Sequence, residues 1–193
     1  MIHIFFYSVF RCTFVVAFKT SAIFKSMSNF LVYIKLPSYL RQWFVNRHSG
    51  SEPVELNRGC IESKILKLAL QKLPEGMLPA KQQEGELAIC IPYSKARDPR
   101  IYNYISPTGK KALIENINNS FAVDCWNALH DFGKIGQQQK TLIYLFMETH
   151  GIKEDGACWD NIAKVYQRLR KNAVLSEKRK SERIAKNKDS SIS

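Results

Sequence analysis

Residues 106–131, SPTGKKALIENINNSFAVDCWNALHD, decide the fold. Ser106 offers a side-chain oxygen to the free N–H groups of a helix start, and Pro107 suits the first helical position, where a missing N–H costs nothing. Leu113, Ile117, Phe121, Cys125, Ala128 and Phe132 then recur at helical spacing. The pattern predicts a long helix to about residue 131, with Asn118, Asn119 and Ser120 as the point of an interruption, since short polar side chains compete for backbone partners.

Upstream, the periodicity changes. Residues 30–36 are aromatic and β-branched and stop at Pro37, which reads as a strand. Ser38 is expected to cap a short helix with Leu40, Trp43, Phe44 and Arg47 on one side, and residues 53–56 form a second short strand. Residues 61–73 read as an amphipathic helix, with Ile61, Ile65, Leu68, Ala69 and Lys72 in one stripe and Leu66, Leu70 and Leu73 beside it. Pro74, Gly76 and Pro79 turn residues 74–85 into a loop, and residues 86–93, ELAICIPY, read as a mostly buried strand.

Downstream, Gly133 and Gly136 separate a further helix over residues 137–150, which Gly151 closes, and Asp160 is expected to cap a last helix running past Lys171 into a frayed, Ser-rich end. The class is α+β: a small sheet of two or three strands with N-terminal helices, then an all-helical C-terminal half. Three regions are expected, namely an extension over residues 1–26, a body over 27–175 and a basic tail over 176–193.

The formal net charge is +12 over 193 residues, and it is unevenly placed. Residues 161–193 hold ten Lys or Arg against three acids, a net of +7, whereas residues 27–160 carry only +2. Clustered charge of this kind sets up a strong local potential and points to an anionic partner. Five widely spaced cysteines with no CxxC pair are the pattern of reduced thiols in an intracellular protein, so a cytoplasmic location is expected. Residues 1–26 are apolar, but Arg11 and Lys19 split them into uncharged runs of ten and seven, where a spanning helix needs roughly twenty. Met27 is read as the start of the folded chain, and membrane association is expected only if the preceding segment belongs to the protein.

The last helix is the leading candidate site. Ile162, Val165, Tyr166, Leu169 and Ala173 define an inward stripe, while Lys164, Arg168 and Lys171 recur on the opposite side with Gln167 nearby. Asn161, Arg170, Lys178, Arg179 and Lys180 complete the candidate nucleic-acid-binding set. A basic ridge suits a row of phosphates because each neutralised phosphate releases a counterion. A second candidate surface interleaves Lys95, Arg97, Arg100, Lys110 and Lys111 with Tyr102, combining cations with a ring on which a base can stack.

Enzymatic constellations are sparse. Glu62, Ser63 and Lys64 match an E-x-K element, with Glu52 and Glu55 as further carboxylates for a metal-dependent nuclease, yet Glu62 and Lys64 point in different directions on a helix. Cys125 with His130, and His150 with Cys158, lack zinc-finger spacing, and neither a phosphate loop nor a GxGxxG motif is present. No cofactor, metal or catalytic residue is therefore expected.

The pair TLIYLFMETHG and WDNIAKVYQRLRKN, within residues 137–172, resembles helix-turn-helix DNA-binding segments. The resemblance implies that Asn161, Lys164, Gln167, Arg168 and Lys171 face a groove or its phosphates. The connector over residues 151–159 is longer than the roughly three- or four-residue turn of that motif. The expectation is a non-enzymatic nucleic-acid-binding or accessory protein, with DNA favoured over RNA. The alternatives are an assembly component that binds a protein partner or itself, and the nuclease above.

Overall fold

The computed structural model describes residues 30–130 and 138–190, with side chains as far as Ile184. Residues 1–29, which include Met27 and the apolar segment, and residues 131–137, which include Phe132, Gly133 and Gly136, lie outside the described residues.

The structure is α+β. Strand β1 (Leu31–Lys35) pairs antiparallel with β3 (Glu86–Cys90), Leu31 opposite Cys90 and Lys35 opposite Glu86. Alternation along β1 buries Val32 and Ile34 and leaves Lys35 outside. β3 does not alternate, and Leu87, Ala88, Ile89 and Cys90 are all buried. It lies between β1 and Val54, whose N–H donates to the Ala88 carbonyl at 2.8 Å and whose carbonyl accepts from the Cys90 N–H at 2.9 Å. The stretch expected as a second strand thus contributes one bridging residue, Val54.

Helix α1 (Ser38–Arg47) begins at Ser38 without a side-chain cap, because the Ser38 hydroxyl accepts from the Gln42 side chain at 2.9 Å instead. Helix α2 (Ile61–Ala69) is capped by the Cys60 sulfur, which accepts from the Ser63 N–H at 3.3 Å. It ends before the predicted position: Leu70 turns extended and with Gln71 forms β2, paired antiparallel with β4 (Tyr104–Ile105). The strands therefore make two separate two-stranded ladders.

α2 also lies rotated from its expected orientation. Its inner face is Glu62, Ser63 and Leu66, whereas Ile61 and Leu68 are 58% and 76% exposed. The reason is helix α3 (Pro107–Leu129), against which α2 packs. The Ser120 hydroxyl donates to Glu62 Oε1 at 3.0 Å, which satisfies the buried carboxylate, and Leu66 fills the space beside it. The contact is close, since a Cβ on Gly109 of α3 meets the Ala69 Cβ at 2.8 Å.

α3 is continuous through Asn118, Asn119 and Ser120. Asn118 Nδ2 donates back to the Ile114 carbonyl at 2.9 Å and Ser120 reaches Glu62, so the polar run bonds to helical surroundings and leaves the helix intact. Ser106 caps it as expected, accepting from the Gly109 N–H at 3.1 Å. Leu113, Ile117, Phe121, Cys125 and Leu129 face the core, and Ala128 sits at its margin. Phe121 is the hub of that core: its ring meets Tyr39 and Trp43 of α1, each with centroids 5.3 Å away, and Phe146 at 5.8 Å.

Phe146 belongs to α4 (Gln139–Thr149), which buries Leu142, Ile143, Phe146 and Met147. Gly151 closes it at φ +62°: the Gly151 N–H donates to the Glu148 carbonyl and the Ile152 N–H to the Met147 carbonyl. Ile152 and Met147 are both buried, which completes the apolar contact that accompanies this kind of helix end. The last helix, α5 (Gly156–Ser190), runs for 35 residues. Asp160 does not cap it. It lies inside the first turns, and Asp155 supplies the cap, accepting from the Cys158 N–H at 2.6 Å. The connector from α4 is correspondingly short, residues 150–155.

Candidate nucleic-acid interface

Asp155 fixes where α5 starts, and hydrogen bonds from the Cys158 backbone and thiol hold its carboxyl below the usual carboxylate range. Cys158 of α5 packs against α1, its sulfur 4.0 Å from Gln42 Nε2, and two turns later Tyr166 reaches the far end of α3. There its hydroxyl donates to the Leu129 carbonyl at 3.0 Å and its ring lies against Trp126. Among the described side chains, Cys158, Ile162, Ala163 and Tyr166 are the buried residues of α5, so full burial is confined to the first third of the helix. From Gln167 onward only Leu169 and Ala173 retain partial burial among the side chains described.

The helix nevertheless continues without a break across position 175 to Ser190. Past Gly156 it contains neither Gly nor Pro, and Lys, Arg, Glu, Ala and Leu carry good helix propensity. The tail expected as a separate region over residues 176–193 is therefore, to Ser190, an extension of α5. At a rise of ~1.5 Å per residue, the portion beyond Ala173 is roughly 25 Å long.

Asn161, Lys164, Gln167, Arg168 and Lys171 are exposed, on the side away from Ile162 and Tyr166. Arg168 stays near the body: burial pushes the Tyr39 phenol up, and the Arg168 charge partly offsets that shift. Arg170 leans over the Tyr166 ring, 5.9 Å from its centroid. Lys178 continues the line of Lys164 and Lys171, each two turns from the next, whereas Arg179 and Lys180 are carried round to other faces. Arg183, absent from the expected set, shares the line of Arg179. Their spacing of four residues was the available signal.

The second candidate surface lies at the opposite end of α3. Lys110 and Lys111 sit in the first turns, roughly 28 Å of helix from Leu129, where Tyr166 docks. Arg97 is occupied structurally, as its Nη1 donates to the carbonyls of Lys67, Leu68 and Leu70 that the end of α2 leaves free. Tyr102 is half-buried between the Arg97 and Lys72 cations, 5.9 and 6.0 Å from its ring centroid. Arg100 pairs with Asp98 at 3.5 Å, and Lys95 is exposed. The two basic regions do not form one surface.

The carboxylates of the E-x-K element are dispersed. Glu62 is buried against Ser120, Lys64 is exposed, and Glu52 forms a two-pronged ion pair with Arg41 at 2.6 and 2.7 Å. Burial pushes the Cys125 thiol up to about 12, which leaves it no thiolate for nucleophilic work near neutral pH. Among the described residues, no group of three or more His, Cys, Asp or Glu comes together to hold a metal, and no helix is long and apolar enough to cross a membrane.

No family model, curated protein or solved structure matches this chain. The geometry of α5 is therefore what any functional reading must rest on.

Proposed function

We propose that this chain is a non-enzymatic nucleic-acid-binding protein, directed to DNA rather than RNA, in which α5 supplies the phosphate contacts. The observation that carries the reading is a helix whose last buried residue among the described side chains is Tyr166 and whose cations from Lys171 to Arg183 stand in solvent. Lys164, Arg168, Arg170 and Lys171 are the first contacts, and Lys178, Arg179 and Lys180 add sequence-independent attraction.

The apolar residues of the free segment favour this reading over two others. Val174 and Leu175 are 65% and 50% exposed, and Ile184 is 65% exposed. At ~100° per residue, Ile184 lies roughly opposite Leu175, so the three form neither a coiled-coil seam nor a face for a lipid surface. Within this proposal α4 and α5 take the places of the two helices of a helix-turn-helix segment. Asp155 and Asp160 occupy the start of α5, however, so phosphates are better met from Lys164 onward.

Replacing Arg168 and Lys171 with alanine is expected to weaken DNA binding and to reduce the slope of log affinity against log salt by ~0.9 per lost phosphate contact. An unchanged slope removes both residues from the contact surface. A second reading, an assembly component, draws on the exposed Ile61 and Leu68 of α2. It predicts self-association, measured by sedimentation, that survives deletion of residues 176–193.

A further inference from the structure

Beyond Lys171 the cations of α5 abandon a single line. Winding at ~100° per residue puts Lys171 and Lys178 along one row and Arg179 and Arg183 along a second, about 110° around the helix. All four are exposed. Leu175 stands between the rows, with a shallow hollow on each side: Gln167, Arg170, Lys171 and Val174 line one, and Asn172, Ser176, Arg179 and Arg183 the other. A flat or convex polyanion touches one row and leaves the other in water. A concave one, walled by phosphate on both sides, engages both.

The major groove of B-form DNA has that shape, about 12 Å wide and able to admit a helix of about 10–12 Å diameter. The major groove of an RNA duplex is deep and narrow and does not admit side chains in this way. Resting on the nucleic-acid reading above, we infer that the free segment of α5 seats in the major groove of B-form DNA. Lys171 and Lys178 meet one phosphate wall, Arg179 and Arg183 meet the other, and Leu175 turns to the base edges, where the thymine methyl is its apolar counterpart. From Lys171 to Arg183 the helix rises roughly 18 Å, the length of about five base pairs.

The test uses the 193-residue chain against a DNA duplex of roughly two turns, one of its single strands, and an RNA duplex of the same sequence, across a salt series. The DNA duplex binds most tightly. The paired variants Lys171→Ala with Lys178→Ala, and Arg179→Ala with Arg183→Ala, each lower the duplex salt slope by roughly 1.8. Both pairs are solvent-exposed, and thermal melting at the parent temperature shows that each variant is folded. Equal binding of all three nucleic acids, or one pair that leaves the slope unchanged, overturns the groove-seated helix and leaves one-sided nucleic-acid contact standing. No binding to any of the three at low salt overturns the nucleic-acid reading itself.

Discussion

His48, which follows the last residue of α1, packs its ring against Phe44 with centroids 4.6 Å apart, and neither ring nitrogen has a hydrogen-bond partner. Burial holds its pKa below the usual histidine value, the Glu62 charge pulls the other way, and Arg47 adds to the lowering. Because the imidazolium is disfavoured only in the folded state, the unfolded chain binds more protons between the folded pKa and ~6.5. This contribution to stability is complete above ~6.5 and is lost as pH falls through that window. Thermal melts from pH 7 downward are expected to show a declining midpoint, and His48→Phe should flatten that decline. An equal slope in the variant would assign the pH dependence to other groups. Arg97 teaches a related lesson at the same scale: sequence could read its charge, but not that three carbonyls at the end of α2 take up its donors.

At the scale of elements, what could be read from the sequence depended on whether the governing contact was local. The Ser106 cap, the Pro107 start and the Gly151 stop are local chemistry, and all three appear as read. The orientation of α2 is not local. Its inner face was chosen by Ser120, far along the chain, so the stripe of Ile61 and Leu68 could not be assigned from periodicity alone. The two-residue strands β2 and β4 were likewise invisible, since two residues carry no period. Two substitutions follow from the helix ends. Gly151→Ala places a Cβ in the left-handed region and 3.1 Å from Asn46, with an expected loss of about 1–2 kcal/mol in denaturant unfolding. Gly109→Leu forces a side chain against Ala69 and Ile105, for about 1–3 kcal/mol. Parent-like stability in the second variant would show that α2 and α3 separate at little cost.

For the whole molecule, stability and charge reside in different places. One core cluster runs from Val32 to Tyr166, while the strongest concentration of positive charge lies beyond it. Removal of residues 176–193 is therefore expected to leave unfolding within about 0.5 kcal/mol of the parent, because the described side chains there touch no core. A larger loss would mean that the segment packs on the body. The candidate interface was legible in sequence as a basic ridge, but its division into two rows needed the unbroken course of α5 through position 175. The outward-turned Ile61 and Leu68 have a further consequence for colloidal behaviour. At low ionic strength the +12 charge keeps molecules apart. At 0.1 M salt the screening length has shrunk to ~10 Å, and attraction between those greasy faces is opposed far less. On the proposed nucleic-acid reading, salt that weakens the hold on a polyanion also lowers the barrier between copies, and light scattering of the free protein is expected to rise over the range in which such a complex would dissociate.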